Sequence, residues 1–149
     1  MFSKSCEYGL QAMIYIVLHS REGKNVSLKE IAHNQKIPLH FLSKILQLLV
    51  KHKYIGSVKG PNGGFFPLKT PNKITLLSIV KTIDGKNIFN KCGLGLKKCS
   101  DATPCPIHHE YKIVKQNIEQ ILSNKSIAEL AEDVENGKYI VNFKNSRNL

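Results

Sequence analysis

Acidic residues are scarce in this chain. Its 11 Asp plus Glu stand against 22 Lys plus Arg, a formal net charge of +11 over 149 residues. A surface so short of carboxylates is drawn to polyanions, nucleic acid first and an anionic membrane surface second, although solubility alone can also call for it. Long hydrophobic runs are absent, and nothing approaches the roughly 20 apolar residues a spanning helix needs. The opening MFSKSCEYGLQ carries Glu7 and has no basic-then-apolar leader, so the expected location is the cytoplasm, with no membrane partner. Cysteine is sparse at four residues. In a reducing cytosol that favours metal or redox chemistry over a disulfide framework. Internal repeats and low-complexity tracts are missing as well. What remains, 42% hydrophobic and 22% charged residues, is an ordinary soluble composition and excludes a disordered or collagen-like chain. The length suits one domain.

The charge is uneven. Residues 1–75 hold 11 basic and 3 acidic side chains, whereas residues 76–149 hold 11 and 8. In the basic half, Leu10, Met13, Ile14, Val17 and Leu18 predict a helix over 4–20 with one buried face, capped by Ser3 or Ser5. Ser27 and Glu30 form a capping-box pattern ahead of a short helix with Leu28, Ile31 and Ala32 inward. Pro38 opens another helix to about His52, striped by Leu42, Ile45, Leu46 and Leu49. His40, Ser43, Lys44, Gln47 and Lys51 fall on its other side. Two short helices around a tight turn are a helix-turn-helix pattern. A strand at 54–58, a Lys59–Gly64 turn cluster and a return strand at 65–68, with Pro67 confining it to an edge, then read as a wing. Lys59 would offer a cation to a phosphate or minor groove.

Thr75 caps a helix to about Ile83. Residues 86–104 lack useful periodicity, and a loop that long in a small domain is usually functional or disordered. Pro106 is expected to open the longest helix, to about 123, with a seam of Tyr111, Val114, Ile118 and Ile121 that can pack on its own domain or on a second copy. Ser126 and Glu129 form a second capping box before a last helix to about Glu135. Three cysteines cluster as Cys92-x6-Cys99-x5-Cys105. Thiolates suit zinc or iron–sulfur groups. Structural zinc sites usually begin with cysteines two to four residues apart, so these wider gaps suit something larger than one ion. An iron–sulfur cluster wants four ligands, and His108 is the near candidate for the fourth. Cys6 stands alone and reads as a packed side chain.

The chain resembles the BadM/Rrf-two family of bacterial winged-helix regulators. The resemblance covers about residues 1–135. It is carried by Tyr8-Gly9-Leu10, Val26-Ser-Leu-Lys-Glu-Ile-Ala32, Ile37-Pro-Leu-His-Phe-Leu42, the wing Ser57–Gly64, and the three cysteines with Cys105-Pro-Ile-His108. It implies a homodimer with crossed long helices, and an iron–sulfur cluster that controls DNA binding. Cys92, Cys99 and Cys105 sit at the family's ligand positions. Its IscR-like pattern makes His108 the fourth ligand of a two-iron cluster. Its NsrR-like pattern uses an acidic residue before the first helix's Tyr, here Glu7 of the partner subunit, and a four-iron cluster. Lys59 replaces the family's usual wing Arg, and Ser43 an IscR-like Glu, so the DNA target need not be IscR's.

These observations predict a mainly α protein and not an enzyme. A winged helix-turn-helix domain occupies 1–84, with its wing about 54–68. A cluster-binding loop at 85–105, a dimerisation helix with a short final helix over 106–135, and a tail at 136–149 follow. Double-stranded DNA is the expected partner. His40, Ser43, Lys44 and Gln47 read the major groove, Lys59 and Asn62 act from the wing, and Ser3, Lys4 and Ser27 contact phosphates. The cofactor is an iron–sulfur cluster, two-iron favoured over four-iron, on Cys92, Cys99, Cys105 and His108. The alternatives are a regulator of the same fold sensing by thiol oxidation or zinc, and a small redox carrier.

Overall fold

The structure is a computed structural model and describes residues 1–68 and 70–139. In chain order the elements are α1 (Lys4–His19), α2 (Leu28–Gln35), α3 (Leu39–Lys51), β1 (Ile55–Val58), β2 (Gly64–Pro67), α4 (Leu76–Asp84), α5 (His108–Ser123) and α6 (Ile127–Glu135). Short 3-10 turns sit at Arg21–Gly23, Pro71–Lys73 and Ile88–Asn90. The mainly α, winged helix-turn-helix architecture expected from the sequence is what the chain adopts. Residues 140–149, most of the expected tail, lie outside the described residues.

Four of the six described helices, α1, α2, α4 and α6, start where a side chain takes a free amide, whereas α3 and α5 have no side-chain cap. Ser3 accepts from the Cys6 amide, Ser27 from Glu30, Thr75 from Ser78 and Ser126 from Glu129. Among the described residues, only Ser126–Glu129 closes as a full capping box. The box expected at Ser27–Glu30 is half made, because Glu30 accepts instead from the Tyr15 hydroxyl at 3.2 Å and so ties α2 to α1. α5 begins at His108 rather than Pro106: residues 105–107 form a turn whose Cys105 carbonyl accepts from the His108 amide at 2.9 Å.

The single buried face predicted for α1 gives way to burial all round its middle, over residues 12–16, while Lys4, Glu7 and His19 stay exposed and Leu10, Val17 and Leu18 are half-buried. Cys6, Gly9, Ala12, Met13, Ile14, Tyr15 and Ile16 are all inside. The cause is position: α1 runs through the middle and packs on α2, α3, α4 and α6. Gly9 lies at the close approach to α4 and α3: a Cβ there would lie 2.3 Å from the Ile83 side-chain tip, which would have to turn aside, and 3.3 Å from Ile45. α3 follows its sequence pattern, with Leu42, Ile45, Leu46 and Leu49 buried. α6 returns to the same core through Ile127 and Ala131. It is clamped there by backbone bonds from the Leu76 amide to the Lys125 carbonyl (3.0 Å) and from the Ile127 amide to the Ile74 carbonyl (2.9 Å). Of the two helices expected over 106–135, α6 belongs to the core, and α5 adds Leu122 to it while Ile113, Val114 and Ile121 are exposed.

β1 and β2 pair antiparallel, Ile55 opposite Pro67 and Val58 opposite Gly64. A third piece of backbone joins them. The Val26 amide donates to the Phe65 carbonyl (3.0 Å) and the Phe65 amide to the Val26 carbonyl (2.8 Å), pinning the wing to the residue ahead of α2. Gly64 permits this: its φ is +148°, and a Cβ would sit 2.5 Å from the Val26 carbonyl oxygen. Among the described residues no helix is long and apolar enough to cross a membrane.

Candidate DNA-reading face and cysteine loop

α3 shows solvent the side chains assigned to reading. His40, Lys44 and Gln47 are exposed and Ser43 is half-buried. Gln47 Nε2 reaches Ser43 Oγ at 3.5 Å one turn away, which orders the middle of this face. Leu39 and Phe41 at its head are also exposed, with the Phe41 ring 4.3 Å from that of His40. The sequence reading passed over these two because apolar residues beside a stripe look like core. A groove of about 560 Å³ runs between α3 and the wing, and Ser27, Ser43, Gln47 and Lys59 are among its lining residues. Lys59 and Asn62 sit at the exposed wing tip, where the Asn62 carbonyl accepts from Asn25 Nδ2 at 3.1 Å.

The other phosphate candidates have internal duties. The Ser3 amide donates to Asp84 at 2.8 Å and its hydroxyl donates to the same carboxylate while capping α1. Lys4 pairs with Glu7 at 2.8 Å and its ammonium lies 5.4 Å from the Tyr8 ring centre. Ser27 is the α2 cap. Cys6 is fully buried, as a packed side chain should be. Burial, with Asp84 adding, pushes its thiol up to about 12.

In the cysteine loop, Ile88 and Phe89 are buried and anchor its entrance, Phe89 meeting Phe2 edge-on. Beyond them the sulfurs fall into pairs. Cys92 Sγ lies 4.0 Å from Cys105 Sγ, and Cys99 Sγ lies 3.4 Å from His108 Nδ1. Two thiolates on one tetrahedral metal stand about 3.8 Å apart, and a thiolate and an imidazole nitrogen about 3.5 Å. Each pair thus has the spacing of two donors on one metal atom. Among the described residues no three His, Cys, Asp or Glu side chains converge on a point one ion could occupy. Backbone hydrogen bonds from Leu94 and then Leu96 hold the Cys92 thiol below its usual value, with Cys105 and Lys115 adding.

Polar side chains from α5 surround the second pair. His108 is only 4% exposed and its Nε2 is 2.8 Å from Asp101 Oδ1. Lys112 Nζ donates to both Asp101 oxygens at 2.9 Å. The His108 and Lys112 hydrogen bonds hold the Asp101 carboxyl down to about 2. Lys115, buried despite its charge, reaches the Lys91 carbonyl at 3.0 Å and Cys99 Sγ at 3.5 Å. Asp101, Lys112 and Lys115 went unnoticed in the sequence. The two lysines carried a signal, since spacings of four and seven from His108 put them on its helix face. Asp101, inside the loop, carried none. Glu7 belongs to the exposed start of α1 and within its own chain pairs with Lys4.

Of the seam residues on α5, Tyr111 turns toward the loop, where a Cβ on Gly93 would lie 2.9 Å from its ring. Ile118 is partly buried against the core. Val114 and Ile121 are open to solvent, together with Ile113, which the seam reading omitted.

Comparison with known proteins bears on both regions. Residues 2–133 match the Rrf2 family, described as iron-dependent transcriptional regulators. The chain belongs to the Rrf2 family. IscR of Erwinia tasmaniensis, an HTH-type transcriptional regulator, is 30% identical over 128 residues, spanning 86% of this chain and 76% of that protein. Among solved structures, T. potens IscR superposes with a TM-score of 0.73 at 25% identity, covering 94% of this chain and 92% of that one. CymR, the global cysteine regulator of B. subtilis, has the same fold, with a TM-score of 0.74 at 20% identity over 89% and 96% of the two chains. As an Rrf2 protein the chain is a DNA-binding transcriptional regulator of winged-helix build, not an enzyme, and the redox-carrier alternative falls away.

Proposed function

We propose that this Rrf2 protein is a cytoplasmic homodimer whose affinity for a double-stranded DNA operator is set by an iron–sulfur cluster, two-iron in type, held by Cys92, Cys99, Cys105 and His108. The observation that carries the reading is the pairing of donors: Cys92 with Cys105 at 4.0 Å and Cys99 with His108 at 3.4 Å. A cluster would supply oxidation-state and ligand-loss chemistry, which makes it a sensor. The chain's residues do the rest. The Leu94 and Leu96 amides, with Cys105 and Lys115 adding, put hydrogen bonds and positive charge beside Cys92 Sγ, which favours its thiolate. The loop ends at the first residue of α5, so any rearrangement of the loop acts on that helix. α5 with Ile113, Val114 and Ile121 is the dimer face, and two half-sites are read by two copies of α3 and the wing. His40, Ser43, Lys44 and Gln47 contact bases. Lys59 and Asn62 contact backbone or minor groove, with Ser3, Lys4 and Ser27 at phosphates.

The test is protein purified without air. Iron and sulfide near two of each per chain, a visible absorption spectrum, and operator affinity that changes when the cluster is removed are expected. Colourless protein whose binding ignores iron would overturn it. Four irons per chain, with a spectrum sensitive to Glu7→Ala and not to His108→Ala, would return the fourth ligand to Glu7 of the partner. Ile121→Lys should give monomers of unchanged fold by sedimentation.

A second reading has its own observation. Cys92, with its thiol held low, stands 4.0 Å from Cys105 in a partly exposed loop, a geometry suited to thiol oxidation without metal. A Cys92–Cys105 disulfide formed by mild peroxide in iron-free protein, with a change in DNA affinity, would favour it.

A further inference from the structure

His108 is almost wholly buried, so both ring nitrogens need partners that water cannot supply. Nε2 has one in Asp101 at 2.8 Å, and Nδ1 faces Cys99 Sγ at 3.4 Å. Asp101 is not buried with it: its side chain is 69% exposed, so its charge stays hydrated while one oxygen reaches in to the ring. Lys112 holds that carboxylate from the other side with two bonds of 2.9 Å. A carboxylate is an acceptor only, and so demands the hydrogen on Nε2. A neutral imidazole with hydrogen on Nε2 has its lone pair on Nδ1, aimed at Cys99.

We propose that Asp101 is a positioning residue. It takes the Nε2 hydrogen of His108, fixes the imidazole tautomer and ring plane, and thereby makes Nδ1 the donor atom that works beside Cys99. Carboxylates set behind ligating histidines act in this way, fixing the tautomer and raising donor strength. The tautomer stands on the geometry alone; its use in ligation rests on the cluster reading above. Lys112 is the outer support, keeping Asp101 against the ring while leaving the ring's own bonds unchanged. The ligand that α5 offers is therefore preset before any metal arrives, whereas Glu7, paired with Lys4 on an exposed helix start, has no such arrangement.

The test uses the full chain without metal, in reducing, mildly alkaline buffer, with 15N-labelled histidine observed by NMR. Wild-type His108 should carry its hydrogen on Nε2. Asp101→Ala should move the ratio of the two tautomers by about tenfold or more, the worth of a hydrogen bond to a charged group. Asp101→Asn, whose side-chain carbonyl still accepts, should restore the wild-type ratio, and Lys112→Ala should leave it nearly unchanged. A ratio untouched by Asp101→Ala, a wild-type hydrogen on Nδ1, or a doubly protonated wild-type ring would each overturn the proposal. In the iron-reconstituted protein reduced by one electron with dithionite, pulsed electron paramagnetic resonance should show a histidine-nitrogen coupling in wild type and Asp101→Asn that weakens in Asp101→Ala. A normal tautomer result with no cluster in wild type would sink the cluster reading and leave the tautomer assignment standing.

Discussion

The reading head and the cysteine loop are held by different forces. In the head, Leu42, Leu46, Leu49, Ile55 and Val26 are fully buried, and every turn between α1 and β2 is closed by backbone bonds or a cap. The loop after Phe89 buries almost no apolar surface, and Leu94 and Leu96 point outward at 54% and 55% exposure. Its order comes from the polar chain of Lys112, Asp101, His108, Cys99 and Lys115. Apolar packing gives one close-packed arrangement that resists change. A polar ring rearranges when a ligand or an oxidant changes one of its members, so the sensing proposed for the loop would suit the second kind of structure and a DNA-reading surface the first.

Replacing one leucine in each region tests this most severely. Leu46→Ala in the head should cost about 2–5 kcal/mol in denaturant unfolding, whereas Leu96→Ala in the loop should stay within about 0.5 kcal/mol. Equal losses would mean that the loop has a core of its own. Gly64→Ala should cost about 1–3 kcal/mol, because a residue with a Cβ is strained at this φ and strikes the Val26 backbone. Thermal unfolding measures the loss, and operator binding should fall as the wing comes away from α2. Lys59→Ala should leave folding unchanged. It should lower DNA affinity at every sequence tried and reduce the slope of log affinity against log salt by about 0.9 per bound chain. An unaltered slope would take Lys59 off the phosphates.

The smallest effect is chemical. In metal-free reduced protein, alkylation should reach Cys92 first and Cys6 last. Cys92 ionises below the usual thiol value, so its rate should rise at lower pH than that of a free thiol. Cys6, shifted up to about 12, stays neutral and shielded through that range. Mass spectrometry of the labelled peptides reads the order, and early labelling of Cys6 would show that the head opens as readily as the loop.

Much of the head was legible because its signals are local. Ser27, Thr75 and Ser126 stand at helix starts where a side-chain oxygen meets a free amide, and the α3 stripe of Leu42, Ile45, Leu46 and Leu49 needs only helical spacing. The misjudged places depend on what lies across the fold. Glu30 leaves its own capping box because Tyr15 stands opposite. The single buried face expected of α1 fails because four helices surround it, and periodicity reports one face at a time. Val26 gives no strand signal, since a bridge of one residue on each side is made by the partner, Phe65.

The sequence by itself determined the helix-turn-helix, the wing turn and the candidate donor residues, since spacing along the chain is enough to write those. Only the tertiary structure decided that Cys92 stands beside Cys105 and Cys99 beside His108, that Asp101 backs the histidine, and that Tyr111 faces the loop while Ile113 faces solvent. Those are relations between residues 7 to 18 positions apart, joined through an irregular loop whose path no periodicity encodes. That path follows from where α5 presents His108 and Lys115, both withdrawn from water, and from which loop groups can satisfy them.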